Sequence, residues 1–301
     1  MIDKNTLEKF RDLPTPFYYY DLDILNSTLT TLKTESLNSG FKIHYAVKAN
    51  ANPRILKIIS SYGFGADCVS WNEIDAAIAA GFNPSEIVFA GVGKTDKEIE
   101  AAIRSGIFCF NCESIPEIEV INHIASLQSR NVRIALRINP LIEAHTHKYI
   151  TTGIEESKFG IRTWELDEAL NRLSSMNNLR LEGIHFHIGS QITRMAVFQS
   201  LCTHINEQQD WFASHNIDLK IINVGGGLGI DYEIDLAKET IVDLSTGVTT
   251  PCVFQYWNTT LNIVIPDNLF ALENTKTVIL VGNRAELTDV APNSGSIQLA
   301  R

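Results

Sequence analysis

The chain has 301 residues, 45% of them hydrophobic and 20% charged, which is the composition of a globular protein. Its formal net charge of −10 argues against a nucleic-acid partner, because phosphate binding requires a basic face. No apolar stretch is long enough for a membrane span, and Met1-Ile2-Asp3-Lys4 lacks the basic and apolar regions of a signal peptide, so a cytoplasmic protein with no membrane partner is expected.

From the N-terminus onward the sequence repeats one unit: a short β-branched or aromatic run, a polar loop, then a helical pattern. Candidate strands are Lys42–Val47, Gly65–Val69, Ile87–Ala90, Ile107–Asn111, Val132–Ile138, Leu181–Ile188, Leu219–Val224 and Thr277–Val281. Amphipathic patterns predict helices at Pro53–Tyr62, Trp71–Ala80, Asp96–Ser105 and Leu166–Met176, the second ending at Gly81. Cys109 and Cys112 have a redox spacing, but they follow a buried strand pattern and read as small core residues. The five cysteines are an odd number spread over a large chain without an export signal, which favours reduced thiols.

Eight strands alternating with helices predict a parallel sheet closed into a (β/α)8 TIM barrel; a doubly wound open sheet is the alternative. No linker-like run divides the chain. Residues 1–290 are therefore read as one barrel domain and residues 291–301 as a C-terminal tail.

Active sites of such barrels lie at the C-terminal ends of the strands. The residues at those ends are Lys48, Asp67, Lys94, Glu113, Arg137, His187 with Ser190, the run Gly225-Gly226-Gly227, and Arg284. Lys48 follows an apolar strand, and low-dielectric surroundings there would free its amine for imine formation; taken alone it reads as a lysine snorkelling to the rim. Three consecutive glycines let backbone N–H groups converge on a phosphate, and a flexible turn is the plain alternative. A dinucleotide fingerprint fails because Ile230 stands where its third glycine belongs. His185 and His187 share a strand face; they read as a metal pair, with His145 and His147 as further ligands, as a single imidazole beside a cofactor ring, or as core or rim histidines with no function. A network joining Lys48, Asp67 and Arg137 would satisfy the buried charge at these strand ends, an ordinary structural ion pair between two of them being the alternative.

The segments Tyr45-Ala46-Val47-Lys48-Ala49-Asn50, Gly65-Ala66-Asp67-Cys68-Val69-Ser70, Ser157-Lys158-Phe159-Gly160-Ile161, His185-Phe186-His187-Ile188-Gly189-Ser190-Gln191 and Val224-Gly225-Gly226-Gly227-Leu228-Gly229 resemble those of the alanine-racemase-like (fold type III) decarboxylases that use pyridoxal 5'-phosphate. The wording His-Ile-Gly-Ser-Gln and the run Thr146–Gly153 are similar to the diaminopimelate decarboxylase branch. The resemblance, over roughly residues 10–232, implies a barrel of the alanine racemase N-terminal type, a homodimer, and decarboxylation of meso-diaminopimelate to lysine. It implies that Lys48 bonds covalently to the cofactor, that His187 stacks on its ring with Ser190 close by, and that Gly225, Gly226 and Gly227 hold its phosphate. Asp67 and Arg137 are expected beside the cofactor, and Arg284 at both cofactor and substrate. No metal is expected.

The sequence departs from the family in two places. Where the family's eighth strand ends in Glu-x-Gly-Arg, the counterpart here is Val281-Gly282-Asn283-Arg284, so Val281 replaces the acid that keeps the ring nitrogen protonated. The family's C-terminal β-domain, which supplies a cysteine acid to the partner's site, has no counterpart among these residues. The resemblance therefore implies turnover slower than in a chain carrying that domain. Two other functions compete: a non-catalytic pyridoxal-phosphate-binding single barrel, and a metal-dependent hydrolase built on His185 and His187.

Overall fold

A computed structural model of the protein describes residues 4–10, 12–14, 17–139, 159–192 and 194–227, together with five short strands between residues 241 and 299. Thirteen strands occur among these residues. The first eight are β1 (Lys42–Ala46), β2 (Gly65–Cys68), β3 (Ile87–Phe89), β4 (Cys109–Cys112), β5 (Val132–Asn139), β6 (Ile161–Arg162), β7 (Leu179–His185) and β8 (Ile221–Gly225). They are followed by β9 (Ile241–Val242), β10 (Thr249–Thr250), β11 (Leu261–Val264), β12 (Thr277–Gly282) and β13 (Ser296–Leu299).

Eight of these close a parallel ring. The order β4-β3-β2-β1-β12-β8-β7-β5 is completed by a pairing of β4 with β5, and every pairing around the ring is parallel. The predicted barrel is therefore the observed fold, and the open sheet is ruled out by the β4–β5 pairing. β12, in the region predicted as the eighth strand, lies between β8 and β1 and sets Val281 in register with His44. β6 is a short addition to the end of β5.

The helices are α1 (Lys4–Phe10), α2 (Leu22–Ser39), α3 (Pro53–Ser61), α4 (Trp71–Ala79), α5 (Asp96–Ser105), α6 (Ile115–Leu127), α7 (Leu166–Leu173) and α8 (Met195–Ser214). Alternation along each strand divides the core. Phe89, Phe110, Ile134, Leu136 and Ile184 pack outward against helix residues such as Ile74, Ile99, Ile118 and Ile121, while Ala46, Val88, Cys109, Ala135 and Ile221 form a second cluster. That division is what strands buried on both faces require.

Local sequence fixes where each helix begins at the barrel mouth. Ser70 caps α4, Thr95 caps α5 and Ser114 caps α6, each with a glutamate three residues on, the signature of a capping box. Glu98 returns to Thr95 N at 3.0 Å. Glu73 and Glu117 reach one residue further back, to Val69 N and Glu113 N, each at 2.7 Å. These carboxylates tie the strand ends to the following helices, so residues between strand and helix are held firmly.

Candidate active site at the barrel mouth

Lys48 does not sit on the strand that leads to it. β1 stops at Ala46 and the chain makes one 3-10 turn, Val47–Ala49. Asn50 closes this turn through its N–H to Val47 O at 3.1 Å, and Tyr45 Oη donates to Asn50 O at 3.2 Å. Asn50 also donates from Nδ2 to Tyr20 Oη and accepts from Asn52 N. The run Tyr45–Asn50 thus builds a braced turn whose tip carries Lys48. The side chain is exposed at the mouth, not sheltered beside the strand as its apolar flank suggests, because the turn swings it clear of β1.

Asp67, on β2, is buried, and its Oδ1 has no hydrogen-bond partner among the described residues. Burial pushes its carboxyl up to about 7, against the pull of Lys48, and Glu73 adds to the rise. Arg137, on β5, is buried as well, but the predicted network of Lys48, Asp67 and Arg137 does not form. Arg137 Nη1 pairs instead with Glu113 Oε2 at 2.7 Å. The reason is topological: Glu113 directly follows β4, the neighbour of β5, whereas Asp67 lies two strands further round.

His185 ends β7 and His187 lies two residues beyond it. Burial drives the His187 imidazole down to about 3, and the charges of Arg137 and Lys48 push the same way. Burial likewise holds His185 well below its usual range, followed by Arg137 and His187. Both rings are neutral at neutral pH. His145 and His147, with Thr146–Gly153, lie outside the described residues, and no group of three or more potential metal ligands gathers among those described.

The glycine run closes against the same segment. Gly225 has φ +69, and a Cβ there would meet the carbonyl of Phe186 and lie 3.3 Å from His187 Cα. Gly227 has φ +106, with the carbonyl of Gly189 where its Cβ would be. Phe186 N–H donates to Asn223 O and Ile192 N–H to Gly227 O, both at 2.8 Å. Only glycine allows this approach, and it sets Gly225 beside His187 and Gly227 against Gly189. Ser190 follows His187 and is exposed; Arg284 lies outside the described residues.

Three comparisons with known proteins bear on this mouth. Residues 25–263 match the family model for the pyridoxal-binding domain of pyridoxal-dependent decarboxylases. The chain belongs to that family. It is 53% identical over 227 residues to a diaminopimelate decarboxylase of Bacteroides thetaiotaomicron, an alignment covering 75% of this chain and 59% of the relative. It is 39% identical over 234 residues to the Aquifex aeolicus enzyme of that name, covering 77% and 54%. The crystal structure of diaminopimelate decarboxylase from Helicobacter pylori complexed with L-lysine superposes with a TM-score of 0.73 at 35% identity, over 92% of this chain and 65% of that one. The chain thus spans between half and two thirds of the length of these relatives.

A pyridoxal-dependent decarboxylase needs a lysine amine, a phosphate cradle and a flat partner for the ring. The chemistry present fits: an exposed lysine on a braced turn, glycines too close to neighbouring carbonyls to carry a Cβ, a neutral imidazole beside them, and an unpartnered oxygen of Asp67.

The Arg137–Glu113 pairing and its surroundings were not foreseen. Lys94 Nζ, fully buried, donates to Gly91 O, Asn111 O and Glu117 Oε1 at 2.7, 2.9 and 2.6 Å. The clue was the repeated Ser/Thr-x-x-Glu caps, which mark Glu117 as turned back toward the strand ends. A cavity of about 660 Å³ opens at the side of the mouth, lined by residues including Lys94, Glu113, Glu117, Phe159 and Arg162. The cysteines agree with the core reading: Cys109 and Cys112 are buried free thiols, and burial pushes both far up. No helix among the described residues is long and apolar enough to cross a membrane.

Proposed function

We propose that this chain is the cofactor-binding barrel of a diaminopimelate decarboxylase, acting on meso-diaminopimelate to give carbon dioxide and lysine, in the cytoplasm and as a homodimer. The observation that carries the reading is the conjunction of the braced Lys48 turn with the Gly225–Gly227 loop at His187, in a chain 53% identical to a relative of that name. The L-lysine in the Helicobacter pylori structure supports the choice of product.

When bound, pyridoxal phosphate supplies an electron sink for the carbanion left as carbon dioxide departs. The chain's own residues do the rest. Lys48 Nζ, exposed on its turn, is the covalent attachment point. Gly226 and Gly227 offer backbone N–H groups to the phosphate without side-chain obstruction, while the Gly225 N–H, taken by Asn223 Oδ1 at 2.9 Å, fixes the start of the loop. A neutral His187 would stack on the ring without adding positive charge, and Ser190 would lie close to it. Asp67, whose carboxyl burial raises to about 7, keeps an oxygen for the cofactor or Lys48. Arg137 supplies fixed positive charge at the mouth, and Arg284 remains the expected anchor for cofactor and substrate.

Incubation with pyridoxal phosphate followed by borohydride tests the reading. Peptide mapping should find the label on Lys48, and a label on Lys94 or Lys158 instead would overturn it. Carbon dioxide release from carboxyl-labelled meso-diaminopimelate, lost in Lys48→Ala, checks the substrate; release from ornithine or arginine alone would reassign it.

A further inference from the structure

We propose that Glu113 is a positioning residue, holding the guanidinium of Arg137 between its own carboxylate and the ring of Phe159 so that Arg137 faces the cofactor site. The inference rests on the pyridoxal-phosphate reading. The contact is short and dry: Arg137 Nη1 to Glu113 Oε2 is 2.7 Å, with side chains 10% and 4% exposed, the geometry of a strong charge-assisted hydrogen bond.

Glu113 cannot turn away, because each part of it is fixed. Its Oε1 accepts from Gly91 N at 3.1 Å. Its own N–H donates to Glu117 Oε2, and the other oxygen of Glu117 takes Lys94. A second, independent restraint comes from the loop before β6. The Phe159 ring centre lies 5.7 Å from Arg137 Cζ, within cation–π range. Gly160, at φ +90, packs so closely that a Cβ would fall 2.9 Å from Arg137 O and 3.2 Å from its Cγ. With Arg137 held in this way, the buried Oδ1 of Asp67, unpartnered among the described residues, stays available to the cofactor side.

The test is a double-mutant cycle on the dissociation constant for pyridoxal phosphate, read by its visible absorption, joined to the ¹⁵N signals of the Arg137 guanidinium in cofactor-free protein. Glu113→Gln keeps an acceptor for Gly91 N but turns donors toward Arg137. It should weaken cofactor binding tenfold or more, as should Arg137→Gln. The double variant should be within about twofold of Arg137→Gln alone, since Glu113 acts through Arg137. Glu113→Asp should recover part of the affinity, and the slow guanidinium rotation of wild type should be lost in Glu113→Gln. If Glu113→Gln does not fold, Phe159→Leu replaces it in the same cycle. Additive losses, wild-type affinity in the variant, or an unchanged guanidinium signal would overturn the proposal. A wild-type chain that takes up no pyridoxal phosphate overturns the underlying reading instead, and the guanidinium signal tells the two failures apart.

Discussion

The ammonium of Lys94 is completely buried and lies 2.6 Å from the carboxylate of Glu117, with its remaining donors taken by the carbonyls of Gly91 and Asn111. This pair joins the ends of β3 and β4 to the first turn of α6. An ion pair in such surroundings is costly to assemble, but removing one member costs more, because the other is left buried and uncompensated.

Lys94→Met should therefore lower stability by about 3–5 kcal/mol, although methionine fills nearly the same volume. Urea denaturation of the cofactor-free protein measures this directly. A loss below about 1 kcal/mol would mean that water reaches Glu117 and that the pair does not fasten the mouth.

Cofactor retention should separate the two histidines of the His-Phe-His run. His187 adjoins the glycine loop through Gly225, whereas His185 lies within β7. His187→Ala should raise the dissociation constant for pyridoxal phosphate more than His185→Ala does, and absorbance titration of both variants decides it. Equal losses accompanied by bound zinc would favour the hydrolase.

The barrel was legible because each buried strand is a short apolar run ended by a polar loop. Ile87–Phe89 and Thr277–Gly282 stand out from the helical stretches beside them for that reason. The end of β1 was less so: Val47 continues the β-branched pattern, and only the Tyr45 and Asn50 hydrogen bonds convert it into a turn. The partner of Arg137 was illegible. Asp67 and Glu113 have equal claim to a guanidinium in one dimension, and strand adjacency in the closed ring decides between them. The unpatterned α2 shows the converse limit, since Thr28, Leu29 and Ser36 are its buried residues and no apolar stripe announces it.

Acid should weaken the fold through His44. Burial holds this imidazole down at about 4, against a weak backbone contact to Ala66 O and with the Lys42 charge pushing the same way. In the unfolded chain it titrates near 6.5, so below that pH the unfolded state takes up a proton the folded state refuses. Stability is full above about 6.5 and declines as pH falls toward 4, by up to about 1.4 kcal/mol per pH unit for this one group. Asp67, raised to about 7, works in the opposite sense, since its contribution is largest at low pH and is lost as pH rises through 7. His44→Gln should remove the histidine's share alone. Urea midpoints from pH 7 to 4.5 should then fall less steeply than in wild type, and parallel curves would show that the ring is protonated in the folded state.

The close approach at Gly225 can be separated from its backbone conformation, because the chain contains a matched control. Gly40, which ends α2, has φ +71 and nothing within 4 Å of the place a Cβ would take, while Gly225 has φ +69 and lies against the Phe186 carbonyl and His187 Cα. Alanine at either site incurs the left-handed penalty of about 1–2 kcal/mol. Only at Gly225 must backbone also move, and the backbone that moves carries His187. Gly225→Ala should therefore lose more stability than Gly40→Ala in urea denaturation. It should also lose affinity for pyridoxal phosphate by tenfold or more, whereas Gly40→Ala should bind as wild type does. Absorbance titration of the two variants side by side gives the answer. Matching affinities would mean that the glycine run is an ordinary turn, with the phosphate held elsewhere on the barrel.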